Sequence, residues 1–185
     1  FVTHGDQDHI NGIREMLADQ AFGVEVRNLV LPPREYHDEM LEELALTAAQ
    51  NGTAVLLMEP GGQVTDGGLT VRCLAPSPDE TLEPGNEASL VLEAVYGDFR
   101  MLLTGDVEGR GEEALVKSGS LESCSVLKAA HHGSENSGSE EFLEIVQPVV
   151  SVISAGRGNR YGHPHAETVR RLEHIGSRIY STQEN

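Results

Sequence analysis

Four residues able to bind a metal or move a proton fall within six positions near the start of the chain: His4, Asp6, Asp8 and His9, in H-G-D-Q-D-H. Imidazole and carboxylate together suit Zn²⁺ or Mn²⁺. On a short extended piece alternate side chains can face the same way, and the adjacent Asp8-His9 pair can serve a second centre. An apolar strand end before the segment and Ile10-x-Gly12-Ile13 after it bracket these ligands between a strand and a helix start.

Three other strand ends deliver residues of the same kind. In L-L-T-G-D-V-E-G, Asp106 follows an apolar run, with Gly105 permitting a sharp exit. A carboxylate fixed there can bridge two cations about 3.5–4 Å apart. Glu108 reads as a helix-start acid facing free N–H groups. In V-L-K-A-A-H-H-G-S the ligand types are His131 and His132. Successive strand residues face opposite ways, so one of the two enters the centre and the other supports it. N-R-Y-G-H-P-H offers Tyr161, His163 and His165 before a helix that Pro164 can start. Of these, His163 suits a general acid or a contact to substrate phosphate.

The elements that must position these residues are short and mixed. Strands are expected over 24–31, 53–59, 69–76, 124–132, 148–155 and 177–182, with a hairpin over 88–106 turning at Tyr96-Gly97-Asp98. Helices are expected from about Gly12 to Gln20 and over 35–50, 107–117, 140–146 and 166–175. The Gly-rich run 59–68 reads as a turn region. Strands outnumber helices, which implies a two-layer β core clothed by helices, an α/β chain.

Composition narrows the function. Lys and Arg number 13 against 30 Asp and Glu, a formal net charge of -17. Such a surface repels nucleic acid and anionic lipid at long range, which excludes a broad DNA-binding face but not local capture of a phosphate at a metal. With no Trp and 4 each of Phe and Tyr, platforms for stacking on bases are few. Cys73 and Cys124 lie in apolar runs as core residues, and two cysteines make no staple framework. No stretch approaches the ~18 apolar residues of a membrane span. No serine or cysteine triad is present.

Taken together, T-H-G-D-Q-D-H-I-N-G-I, G-N-E-A-S-L-V-L, L-L-T-G-D-V-E-G, L-K-A-A-H-H-G-S-E-N-S and I-S-A-G-R-G-N-R-Y-G-H-P-H-A-E-T-V-R-R-L resemble the metallo-β-lactamase superfamily. The resemblance is stronger to the hydrolase domain of the ComEC/Rec2 competence proteins, channel proteins that import DNA. It implies an αββα fold, a β-sandwich flanked by helices, filling residues 1–185 as one domain truncated at both ends. The opening hairpin with its D-x-G-Q-G-D motif would precede Phe1, and a last strand pairing would follow Asn185.

The resemblance further implies two divalent metal ions, Mn²⁺ or Zn²⁺. His4 and Asp6 would hold one, Asp8 and His9 the other, Asp106 would bridge, and His132, with His131 as the alternative, would complete the second. Asp6 departs from the general superfamily, which has His there, and agrees with the competence subgroup. Asn86 stands where the superfamily often ligates through His, and its amide oxygen, a weaker ligand, favours a harder ion such as Mn²⁺. Asp8 would orient a hydroxide, His163 would protonate the leaving oxygen, and His131 and Ser134 could contact phosphate. The implied function is a phosphodiesterase acting on DNA during uptake. Its partners would be DNA and the membrane channel of the same parent protein, with no lipid contact from this part. The expected location is a solvent-facing, extracytoplasmic domain of a bacterial membrane protein. Another phosphoesterase of the same fold and a metal-binding scaffold without catalysis are the competing readings.

Overall fold

The computed structural model describes residues 1–18 and 23–183. Seven strands form one sheet in sequence order: β3 (Gln63–Asp66), β4 (Leu69–Ala75), β5 (Val91–Tyr96), β6 (Phe99–Leu103), β7 (Val126–Lys128), β8 (Val150–Ile153) and β9 (Arg178–Ser181). The pairs from β3 to β6 are antiparallel and those from β6 to β9 parallel. Parallel neighbours require crossovers, and α3 (Gly109–Lys117), α4 (Glu140–Val146) and α5 (Ala166–His174) supply them. A second, parallel sheet pairs β1 (Asn28–Leu31) with β2 (Ala54–Leu57). It carries α1 (Gln7–Ala18) and α2 (Glu39–Gln50).

Alternation along the strands builds the layers. Leu29 and Leu31 face Leu41, Leu44 and Ala48 of α2 and Ile10 of α1, whereas Val30 between them faces Met58, Cys73, Leu90 and Leu92. Val91 and Leu102 point the other way, into a third cluster with Leu115, Leu143 and Leu172 of α3, α4 and α5. Helices, small sheet, large sheet and helices therefore follow one another, the αββα order expected. Its strength is apolar burial between layers, about 25 cal/mol per Å². One buried acid, Glu93, crosses the large sheet's charge pattern and is held by Arg72 and by Arg100 at 2.8 Å.

Several boundaries differ from expectation. The first helix starts at Gln7 rather than Gly12, because the Asp6 carbonyl accepts the N–H groups of His9 and Ile10 at 2.9 and 3.1 Å. Asp8 and His9 thus sit in a first helical turn, not on an extended piece; positions 19–20 of the expected helix lie outside the described residues. The helix expected over 35–50 is split: a 3₁₀ turn at Arg34–Tyr36 ends at extended His37, and Asp38 caps the main helix by accepting the Leu41 N–H at 2.8 Å. The Gly-rich 59–68 run is not all turn, since β3 lies within it and hairpins back onto β4. The strand expected over 124–132 stops at Lys128, and the one over 24–31 begins at Asn28.

Candidate metal centre

The ligand-type residues meet at the carboxyl ends of β6, β7 and β8, where a parallel sheet opens its crevices. Residues 1–3 run between the two sheets: Val2 N–H bonds Val30 O and Leu90 N–H bonds Thr3 O, each at 2.9 Å. That anchorage delivers His4, fully buried, into the crevice. From β6 the chain leaves through Gly105 at φ +52, a left-handed conformation that glycine adopts without strain. A Cβ there would also meet Thr3 Cβ at 2.9 Å. The turn aims buried Asp106 at His9, whose Nε2 lies 3.3 Å from its Oδ2.

His131 and His132 follow β7 in a tight turn, both left-handed, at φ 43 and φ 54. It is this turn, rather than strand alternation, that separates the directions of the two rings. His132 Nε2 faces Asp8 Oδ2 at 2.9 Å and Asp106 Oδ2 at 3.5 Å. His131 is turned away, its Nδ1 2.7 Å from Glu108 Oε2. Glu108 in turn is not spent on helix N–H groups as expected. It makes no cap bond and instead accepts from His131 and, at 3.0 Å, from Asn86 Nδ2.

Ligand atoms of His4, His9 and Asp106 lie within 4.8 Å of one another, and so do those of Asp8, His9 and His132. His9 belongs to both groups. Asp6, on the exposed rim, reaches His4 Nε2 at 3.6 Å. Asn86 makes no hydrogen bond to these residues; its amide is used by Glu108 and stands 3.4 Å from His131.

These donors fit a cation. His4 Nε2, His9 Nε2 and Asp106 Oδ1 are buried with no hydrogen-bond partner, and such orphans cost free energy unless something bonds them. The opposite ring nitrogens are tethered. His4 Nδ1 meets the hydroxyls of Thr3 at 2.9 Å and Ser89 at 3.2 Å, and His9 Nδ1 meets Thr3 at 3.4 Å. His132 Nδ1 donates to the Ser154 carbonyl at 2.7 Å. That bond turns His132 Nε2 inward, the arrangement metal-binding imidazoles use.

Electrostatics agree with the geometry. Burial, then the neighbouring His9, lowers the His4 pKa against the pull of the acids. Burial alone would raise the Asp106 carboxyl, but the adjacent His9, Lys128 and His132 outweigh it and hold it well below the carboxylate range. Lys128 Nζ sits 3.5 Å from Asp106 Oδ1 and donates to Gly105 O at 3.0 Å. Thr3, Ser89 and Lys128 were not singled out from sequence. Thr3 adjoins His4, while Ser89 and Lys128 stand three residues from Asn86 and His131, and a hydroxyl or an amine at such positions is too common to read alone.

His163 closes the far side. It is buried, its ring is 6.1 Å from that of His132, and burial followed by the nearby His131, His165 and His132 lowers its pKa. Asn159 and Gln183 bind its backbone: Asn159 Nδ2 and Gln183 Nε2 donate to His163 O at 2.6 and 2.7 Å, and the His163 N–H donates to Asn159 Oδ1 at 3.0 Å. A cleft of about 170 Å³ lies between Asp8 and His132 on one side and Tyr161 and His163 on the other. A larger hollow of about 450 Å³ between α4 and α5 holds none of these groups. His165 is a loop staple, accepting the Glu135 N–H at 2.9 Å and donating to Tyr161 O at 3.1 Å. Ser134 is buried; its hydroxyl accepts the Asn136 N–H at 3.2 Å and reaches Glu108 Oε2 at 3.5 Å.

Residues 1–157 match the family model of the metallo-beta-lactamase superfamily. Over 186 aligned residues, 100% of the chain, it is 34% identical to ComE operon protein 3 of Bacillus subtilis, of which it spans 23%. It is 37% identical over 116 residues to Competence protein ComA of Neisseria gonorrhoeae, covering 62% of the chain and 17% of that protein. The chain thus spans less than a quarter of the length of these relatives. Among solved structures, the metallo-beta-lactamase fold protein YhfI from Bacillus subtilis superposes with a TM-score of 0.60 over 97% of this chain and 72% of that one. At 13% identity that likeness is one of fold.

Proposed function

Since the chain belongs to the metallo-β-lactamase superfamily, we propose that it is a metal-dependent phosphodiesterase that cleaves DNA, working as part of a longer competence protein. The observation that carries this reading is the convergence of buried, unpartnered His4 Nε2, His9 Nε2 and Asp106 Oδ1 with His132 Nε2 and Asp8. Buried acceptors without partners and carboxylates packed together destabilise a chain that does not use them. The ligand set proposed is His4, Asp6 and Asp106 for one ion and Asp8, His9, Asp106 and His132 for the second, with Mn²⁺ or Zn²⁺ as the ions. Asn86, whose Nδ2 donates to Glu108, keeps its amide oxygen as a further, weaker ligand.

Bound divalent ions would supply Lewis acidity and an activated water near neutral pH. The chain's own residues do the rest. Asp8 is exposed at the cleft mouth and orients the attacking oxygen. His163 faces the cleft from the opposite side and hands a proton to the leaving oxygen. Asn159 and Gln183 position it. Lys128 and the His131–Glu108 pair fix the turns that carry Asp106 and His132.

The relatives' length beyond this chain supports a larger parent, and we assign its remainder to a membrane channel, with this part outside the cytoplasm. No helix among the described residues is long and apolar enough to cross a membrane. The test is incubation of the purified chain with single-stranded and duplex DNA in Mn²⁺, against EDTA and Asp8→Ala. Cleavage abolished by both controls is expected. Bound metal with intact DNA would instead point to a smaller phosphoester or to a scaffold role.

A further inference from the structure

Loop 156–163, between β8 and α5, forms the outer wall of the cleft and carries two exposed arginines. In this acidic chain most basic side chains are neutralised by carboxylates: Arg72 and Arg100 by Glu93 and Glu122, Lys128 by Asp106, Arg14 by Glu43. Arg157 and Arg160 have no carboxylate partner among the described residues. Arg157 Nε donates to Gln183 O at 2.8 Å, and Arg160 Nη2 to the Tyr161 hydroxyl at 2.7 Å. Both are exposed beside the cleft.

Beside Arg160 stands Tyr161, 61% exposed. Its ring lies 5.8 Å from that of His163 at an interplanar angle of 24°, and His163 lies 6.1 Å from His132 at 28°. Three rings therefore run nearly parallel from a candidate ligand out to solvent. The Arg160 guanidinium, 4.9 Å from the Tyr161 centroid, steadies the outermost ring.

The loop is pre-organised. Asn159 Nδ2 bonds Gly156 O at 2.8 Å and His163 O at 2.6 Å, and its Oδ1 accepts the N–H groups of Tyr161 and His163. Gln183 Nε2 ties the same two carbonyls from β9's end. An exposed aromatic held this firmly loses little entropy when something stacks on it.

Resting on the phosphodiesterase reading, we propose that loop 156–163 is a strand-binding rim that selects single-stranded DNA. Tyr161 stacks the base next to the phosphate being cleaved, and Arg160 and Arg157 hold the flanking phosphates. Stacking needs an unpaired base, so bases paired within a duplex are not taken. Two arginines at one rim give local capture where the whole surface would repel.

The test uses the chain with an added Asp8→Ala change, which prevents turnover, in Mn²⁺. Fluorescence anisotropy measures its affinity for labelled oligothymidylate and for a duplex of the same length. Tyr161→Ala and Arg160→Ala should each weaken oligothymidylate binding about tenfold, and Arg160→Ala should also flatten the salt dependence. Tyr161→Phe should restore binding, and Arg178→Ala, an exposed arginine away from the cleft, should leave it intact. Absence of oligothymidylate binding, equal loss for both ligands, or no loss in either rim variant would overturn the rim. Hydrolysis of bis(4-nitrophenyl) phosphate by the parent chain, which needs no base platform, separates the two readings. If that ester is not cleaved the phosphodiesterase proposal falls on its own; if it is cleaved while the rim variants bind normally, only the rim falls.

Discussion

His132 Nε2 lies 2.9 Å from Asp8 Oδ2 across 124 positions of sequence, while the adjacent His131 points to Glu108 at 2.7 Å. Two neighbouring imidazoles thus serve different tasks, and the left-handed turn at φ 43 and φ 54 divides them. Non-glycine residues in that region carry a strain of about 1–3 kcal/mol each, which the surrounding bonds must offset. His132→Ala is therefore expected to lose metal from one centre, whereas His131→Ala keeps both and loses only rigidity. Metal content after gel filtration, by mass spectrometry, reads this directly; equal loss in the two variants would contradict the assignment.

Metal removal should be felt in stability. The orphaned atoms of His4, His9 and Asp106 are buried in the folded chain, and an ion held there binds the folded state alone. At a free concentration about a thousand times Kd, linkage gives about 4 kcal/mol, or roughly 10 °C in melting temperature for a chain of this size. A thermal scan with Mn²⁺ and with EDTA checks it. Superimposable curves would mean that the pocket does not take the ion.

Ser89 holds two parts of the centre at once. Its hydroxyl meets His4 Nδ1 at 3.2 Å and accepts the Asp106 N–H at 3.2 Å. Losing it frees the ring orientation of one ligand and the backbone of another. Ser89→Ala should lower metal affinity about 10–100-fold with little change in secondary structure. Competition with a chelating dye measures the shift; unchanged affinity would leave Thr3 as the sole tether of His4.

Gly105 controls how Asp106 leaves β6. Its φ of +52 and the close approach of Thr3 Cβ and Ser89 Cβ, 2.9 and 3.1 Å from an added Cβ, make alanine doubly unfavourable. Gly105→Ala should cost about 2 kcal/mol or more, seen as a lowered midpoint in urea. A variant as stable as the parent would show that the exit can relax.

Much of this was legible in residue types. The clusters around His4, Asp106 and His132 could be read because ligand-type residues at strand ends are chemically conspicuous, and α4 lies at the bounds expected of it, Glu140–Val146. What escaped depended on cooperation between distant residues. The helix start at Gln7 hinges on the Asp6 carbonyl, and no hydrophobic period announces it. The partnership of Glu108 with His131 and Asn86 joins three elements, so a rule about helix-start acids chose the wrong partner. β3 was hidden by glycines that mark its turns, and its exposed residues carry no burial pattern.

The cysteines make a final, independent check of the layered core. Cys73 lies between the sheets and Cys124 under the helices, both buried and unpaired. Burial pushes the Cys73 thiol up to about 12 and the Cys124 thiol up to about 11. A folded-state pKa raised above the unfolded value contributes stability that is complete below the unfolded pKa of about 8.5 and is lost as pH rises through the folded values. Both thiols should therefore ignore iodoacetamide at pH 8 in the native chain, since thiolate is the reactive form, and react fully in urea. Raising the pH from 8 towards 10 should lower the urea midpoint of the parent more than that of a Cys73→Ala, Cys124→Ala double variant. Rapid native labelling at pH 8 would show that the layers open far more readily than this packing allows.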